Sequence, residues 1–365
     1  MADDRTRIGL IGINERARRL LLPGLAAAPR ARLAAVCSRD PHKAAQVAAE
    51  LGPAVRPFAS ADELARSGAV DAVFVNTPVE AHYDACMAAI SAGRAVICEK
   101  PLAPTTREAT ALAEAAAARG VRTAVNFTYR SVPGYRLTER WLGAHGIGRP
   151  LHGEFALWQG HNFLPGFPRA SALLDSGVHL LDAMVGLAGA AGMGRVVALS
   201  AAPMQTGRGA QGAASAALGA DGGGVLPAGQ VGQVDFGWSF VARTSAGAVL
   251  SGLFTRSALG WRNGLGWRLY GEEGAISVEL DGEWTQARCV RRGDGQPQGC
   301  WRPLPVPADI EADDRRFPEY HMDRLVGAVR GEEAFPDFAH AAAIQRLADA
   351  LATAAASGRW TAVQG

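Results

Sequence analysis

Two short strings carry residue types that can do chemistry. Glu99-Lys100-Pro101 follows the apolar run 95–98, and Asp175 is followed four residues later by His179 in an apolar stretch. An ammonium group at a strand end can donate a hydrogen bond to an oxygen that gains negative charge. An imidazole titrates nearest neutrality and can take up or release a proton. On a helix, a four-residue step puts Asp175 and His179 on one face, where the carboxylate can orient or tune the ring and contact a substrate. A lysine, an aspartate and a histidine so placed are the parts needed to move a proton while a bound cofactor moves a hydride.

The elements that must position them alternate in the first third of the chain. Residues 7–11, 33–37, 72–76, 95–98 and 123–126 read as buried strands, with helical stretches at 43–51, 81–92 and 107–119 between them. Gly52, Gly93 and Gly120 punctuate the helix ends. Such alternation predicts an α/β domain with a parallel, doubly wound sheet. After about residue 150 the pattern changes. A strand at 151–158, a helix at 172–187 and strand-like runs at 231–243, 248–255, 265–270 and 275–280 predict an α+β domain. Its sheet should be mainly antiparallel, with one face against helices. Residues 207–232 are rich in Gly and Ala and read as a long surface loop, and 339–357 as a closing helix. The expected division is 1–128, 129–338 and 339–365.

The first strand runs into Gly12-Ile13-Asn14-Glu15-Arg16-Ala17. A dinucleotide fingerprint needs a tight turn, close backbone approach to the pyrophosphate and a helix N-terminus aimed at it. Gly12, Asn14 and Ala17 fill its three positions, Asn being the non-glycine residue that best tolerates a left-handed conformation. Taken alone, the string fits an ordinary strand–helix turn equally well. At the end of the second strand, Ser38-Arg39 offers a hydroxyl and a guanidinium, which suit a 2′-phosphate and favour NADP over NAD. Asp40, with Pro41 behind it, reads as the cap of the next helix, with a role on the adenosine ribose as the alternative. Asn76-Thr77-Pro78 closes the fourth strand on the side where cofactors lie in such sheets.

Length and composition fit this reading. The chain has 365 residues, enough for two domains, and 37 Lys+Arg balance 35 Asp+Glu, which gives no electrostatic reason to expect nucleic acid or an anionic membrane. No secretory pattern precedes the first strand, and no apolar run is expected to reach the length of a membrane span. The five cysteines form no CxxC and no metal-ligand spacing, so no metal is expected and a reduced, cytoplasmic setting is the simplest reading.

Taken together, these strings resemble the Gfo/Idh/MocA oxidoreductases. The resemblance rests on the turn at Gly12, on Asn76-Thr77-Pro78 followed by His82, and on Glu99-Lys100-Pro101. It rests further on Asn126 with Arg130 and Pro133, on Leu174-Asp175-Ser176-Gly177-Val178-His179-Leu180-Leu181-Asp182, and on Ala356-Ser357-Gly358-Arg359-Trp360. It implies a Rossmann domain and a second domain whose large open sheet mediates homodimers or homotetramers. It also implies a nicotinamide cofactor, sugar or polyol substrates, and a cis peptide at Lys100-Pro101. The expected cofactor contacts are Gly12, Ile13, Asn14, Arg16, Ser38, Arg39, Asn76, Thr77, Pro78, His82, Glu99, Lys100 and Asn126. Lys100, Asp175 and His179 are the expected catalytic residues, with Trp158, His161 and Asn162 on the substrate. Asp182 reads as a helix-surface or capping carboxylate. The chain departs from the family pattern at Asn14 and at Arg169-Ala170-Ser171-Ala172, where a glycine-rich run is usual. Two other readings compete: a non-catalytic cofactor-sensing protein, disfavoured by the presence of both Lys100 and His179, and an NAD-dependent glycosidase, disfavoured by Ser38-Arg39.

Overall fold

The computed structural model describes residues 3–160, 171–205, 235–282, 284–293, 300–314 and 316–363. The chain divides into two compact units, Met1–Thr128 with Asp313–Gln345, and Tyr129–Ala312 with Arg346–Gly365. This departs from the contiguous division expected above. The reason is a helix, Phe317–Arg330, whose Met322, Leu325, Val326 and Val329 share one core with Ile8 and Leu10 of the first strand. Their spacing makes one apolar face, but nothing local says which sheet that face covers. The helix Phe338–Ser357 contains the boundary between the units.

The first unit is built on six strands, β1 (Thr6–Ile11), β2 (Ala31–Cys37), β3 (Arg56–Phe58), β4 (Ala72–Val75), β5 (Ala95–Cys98) and β6 (Thr123–Val125). They lie in the order β3-β2-β1-β4-β5-β6, and every pairing is parallel. A parallel sheet has both faces covered, so its strands are continuous apolar runs; all four residues of β4 are buried. The helices are α1 (Leu22–Ala27), α2 (Pro41–Leu51), α3 (Ala61–Arg66), α4 (His82–Ser91) and α5 (Thr106–Arg119). Their starts follow from capping. Asp40 accepts from the amides of His42 and Lys43 at 2.9 and 3.2 Å, with Pro41 in the first turn, as the sequence predicts. Thr105 accepts from the Glu108 amide and donates to its carboxylate.

The second unit carries β7 (Pro150–Trp158), β8 (Val196–Gln205), β9 (Asp235–Thr244), β10 (Val249–Thr255), β11 (Gly264–Gly271), β12 (Gly274–Asp281), β13 (Trp284–Arg291), β14 (Arg302–Pro303) and β15 (Thr361–Ala362). The order is β14-β13-β12-β11-β7-β10-β9-β8-β15, and only β7 and β10 pair in parallel. One face packs on α6 (Pro133–His145) and α7 (Val178–Ala190). The approach is close: a side chain at Gly134 of α6 would meet Val278 and Leu280 of β12 at 2.8 Å. The Gly/Ala-rich segment 207–232 lies outside the described residues.

Two expectations need correction here. Leu173–Ala190, 18 residues long, is apolar and long enough to span a membrane by length and composition, although two-thirds of it (67%) is buried inside the protein. Asp182, on this helix, is not a surface carboxylate. It is fully buried and held by Arg130, whose Nε and Nη2 donate to it at 2.9 and 2.8 Å. Tyr135 also meets Arg130, and Gly186 makes the room: a Cβ there would lie 2.1 Å from Arg130 Nη1. Removing one partner of a buried pair strands the other charge. Asp182→Ala should therefore cost about 3–5 kcal/mol in denaturant unfolding. Asp62→Ala, at the exposed Asp62–Arg66 pair, should leave the unfolding midpoint where it is.

Candidate active site

In the first unit the site grows from the turn after β1. Gly12 has φ +94°, and a Cβ there would sit 2.5 Å from the carbonyl oxygen of Asn76. Only glycine fits, for conformation and for space. Asn14 departs from its expected conformation: among the described residues only glycines have positive φ. Its side chain works instead. Asn14 Oδ1 accepts from the Ala17 amide at 2.9 Å, capping the helix start, and from Asn76 Nδ2 at 3.0 Å. Asn76 Nδ2 also donates to the Gly12 carbonyl at 3.1 Å. The ends of β1 and β4 are thus stitched together. A glycine turn with no room for a side chain, opening a capped helix, fits a dinucleotide pyrophosphate. Ile13 is buried beside it.

Arg39 is exposed at the end of β2 and Ser38 half-buried, with Ser38 Oγ accepting from the Asp40 amide. His82 is buried, 1% exposed, and bridges two carbonyls: Nε2 lies 2.9 Å from Thr77 O and Nδ1 3.0 Å from Pro101 O. It holds the Asn76-Thr77-Pro78 turn to the Lys100-Pro101 segment, and the Lys100-Pro101 peptide is cis. Burial lowers the pKa of His82, against its bonds to Thr77 and Pro101.

Glu99 is 5% exposed and faces a cation, Arg16, whose Nη2 lies 3.1 Å from Oε1. The same oxygen accepts from Asn126 Nδ2 at 2.6 Å, and Asn126 Oδ1 lies 2.5 Å from His321 Nε2. Since the Asn126 amide nitrogen donates to Glu99, its oxygen accepts, and His321 carries its proton on Nε2. His321 lies 195 residues from Asn126 along the chain, and nothing in the sequence near either one announces the pair. Lys100, half-buried, follows Glu99 at the carboxyl end of β5.

In the second unit, Asp175 belongs to a π-helical turn, Leu173–Gly177, and His179 to the α-helix that continues from it. The four-residue step therefore crosses a change of helix type, frequent at functional sites. Both side chains are half-buried. Asp175 Oδ2 pairs with Arg256 Nη2 at 2.9 Å, and the ring of Tyr129 packs on that of His179 with centroids 4.8 Å apart. Neither Arg256 nor Tyr129 was expected at the site. Trp158 takes the other face of the sheet. Alternation along β7 turns Gln159 toward the 173–177 turn, where it accepts from Ser176 Oγ at 2.6 Å. Trp158 lines a depression of about 240 Å³ with Glu154 and Ala156, on the other side, and stacks on Trp261. His161 and Asn162 lie outside the described residues.

A parallel sheet with this turn fits a dinucleotide-binding Rossmann domain. Residues 6–127 match the model of an oxidoreductase family with an NAD-binding Rossmann fold, GFO_IDH_MocA. A levoglucosan dehydrogenase of Pseudarthrobacter phenanthrenivorans is 28% identical over 323 residues, 80% of either chain. An inositol 2-dehydrogenase of Saccharopolyspora erythraea is 36% identical over 155 residues, 42% of this chain and 45% of that one. A solved levoglucosan dehydrogenase, in complex with NADH and levoglucosan, matches with a TM-score of 0.79 at 23% identity, over 99% of both chains. The chain is thus similar to the Gfo/Idh/MocA oxidoreductases, through its Rossmann residues 6–127.

The buried His321 makes a pH-dependent demand on the first unit. Burial, then the charges of Arg324 and Arg16, push its pKa down from 6.5 to about 3. An unfolded histidine takes a proton near pH 6.5, while the folded one stays neutral until about pH 3. Between these values the unfolded chain binds more protons, so stability rises with pH. Denaturation midpoints should fall as the pH drops from about 6.5 to 4.5. His321→Gln should flatten that fall; an unchanged slope would exclude His321 as its source.

Proposed function

We propose that this enzyme transfers a hydride between a nicotinamide cofactor, NADPH in preference to NADH, and a carbon bearing a hydroxyl or carbonyl group on a sugar, polyol or related small molecule. The observation that carries the reading is Lys100, at the carboxyl end of β5 in the sheet that carries the Gly12 turn. Relatives named for levoglucosan and inositol support the substrate class. When bound, the nicotinamide supplies or accepts the hydride. Lys100 donates a hydrogen bond to the reacting oxygen and stabilises its developing charge. His179 gives or takes the proton of that oxygen, and Asp175 accepts from a substrate hydroxyl. Glu99, tied to Arg16 and Asn126, fixes the backbone from which Lys100 projects.

Ser38 and Arg39 support the preference for NADP. Asp40, the next residue, already caps α2, leaving a hydroxyl and an exposed guanidinium for a 2′-phosphate. We assign the enzyme to the cytoplasm, in keeping with its five free cysteines, and to a homodimer or homotetramer paired through the open face of the nine-stranded sheet.

Two measurements test this reading. His179→Ala should lower turnover about 10²- to 10⁴-fold on a panel of levoglucosan, myo-inositol and other sugars, polyols and their keto forms. Cofactor affinity, read by fluorescence quenching, should not change; wild-type turnover would remove His179 from the mechanism. Arg39→Ala should weaken NADPH binding about 10- to 100-fold, the worth of a charge-assisted hydrogen bond, and leave NADH nearly unaffected. Tighter binding of NADH than NADPH by the unaltered enzyme would overturn the cofactor assignment.

A further inference from the structure

We propose that Arg256 is a positioning residue for the reaction, a buried cation that sets where the Asp175 carboxylate points. The proposal rests on the assignment of Asp175 to the substrate site.

Arg256 directly follows β10, and its backbone amide donates to Phe236 O at 2.8 Å. Its guanidinium reaches three points of the π-helical turn and its approach. Nη2 donates to Ser171 O and to Asp175 Oδ2, both at 2.9 Å, and Nε donates to Ser176 Oγ at 3.3 Å. Gly177 lets the turn come this close: a Cβ there would lie 2.6 Å from the ring of Phe254 on β10.

Exposure sets this ion pair apart from two others among the described residues. In Arg130–Asp182 both side chains are buried, 11% and 0% exposed, as a core pair should be. In Arg66–Asp62 both are exposed, 64% and 57%. Arg256 is 1% exposed while Asp175 is 39% exposed. The cation is withdrawn from water, and the carboxylate it holds through one oxygen stays partly exposed. For stability alone, an apolar side chain commonly serves as well at a buried cation's position. A buried guanidinium on a half-exposed carboxylate instead suits a group that must hold one orientation.

The support extends past Asp175. Ser176 Oγ donates to Gln159 Oε1 at 2.6 Å, and Gln159 Nε2 donates to Asn263 Oδ1 at 2.6 Å. Tyr129 Oη donates to the same Asn263 oxygen at 2.7 Å, and the Tyr129 ring packs on His179. One continuous network therefore starts on Asp175 and ends on the ring that packs against His179.

A double-mutant cycle tests the proposal, on the substrate panel above. Arg256→Gln should lower kcat/KM about 100-fold and Arg256→Lys, which keeps the charge and loses the fork, about 10-fold. Cofactor affinity should stay within about twofold for both. In an Asp175→Asn background, Arg256→Gln should cost less than about threefold, because its target is already gone. The same loss in both backgrounds, or full activity of Arg256→Gln, would overturn the proposal. Should Arg256→Gln fail to fold by thermal denaturation, Arg256→Lys enters the cycle in its place under the same criterion. An Asp175→Asn enzyme with full turnover, or no turnover by the unaltered enzyme across the panel, would instead overturn the assignment of the site, and the proposal with it.

Discussion

A parallel strand can return to its sheet only by a crossover, so the carboxyl ends of parallel strands collect along one edge. The first unit depends on this constraint. The Gly12 turn leaves β1, Ser38-Arg39 leaves β2, Asn76 leaves β4, Glu99-Lys100 leaves β5 and Asn126 leaves β6. These residues are far apart in sequence, and the topology alone makes them neighbours. What remains for side chains is to fix the turns against one another. Asn76 ties β4 to β1, His82 ties the β4 turn to the segment after β5, and Asn126 ties β6 to β5.

The second unit solves a different problem. An antiparallel sheet does not gather its strand ends along one edge, and the candidate residues Asp175 and His179 ride on a helical segment laid across one face. That segment is held by buried charge. Asp182 faces Arg130 from the α-helical part, and Asp175 faces Arg256 from the π-helical part. Both arginines would be expensive to leave unpaired. Each therefore specifies a register for the helix, because sliding the segment by one residue would leave a cation without its carboxylate.

What was legible in the sequence follows from the range of each signal. Strand and helix alternation, the Asp40 cap and the glycine helix ends are local, and they were readable because their physics is complete within a few residues. The short strand β3 lacks the period that marks a strand, and β8 was passed over although it is 10 residues long. Lys100, Asp175 and His179 were singled out from residue type and spacing. Their supporting partners were not, because Arg256 lies 81 residues from Asp175 and His321 lies 195 from Asn126. The side taken by Trp158 is hidden for a related reason. Alternation in β7 could be read from the sequence, but not which of its two faces meets the helices.

Asn14 shows how a pattern can be kept while its letters change. The fingerprint's second glycine allows close backbone approach to the cofactor. Asn14 leaves the left-handed region unused and spends its side chain on the Ala17 amide and on Asn76. That side chain replaces conformational freedom with three hydrogen bonds, and fixes a turn that a glycine would leave looser. It also satisfies one of the amides that a helix N-terminus leaves without an internal partner. A turn so fixed has less conformational entropy to lose on binding an anion. Gly12, Asn14 and Ala17 thus meet the physical demands of a dinucleotide turn, although only the first is a glycine.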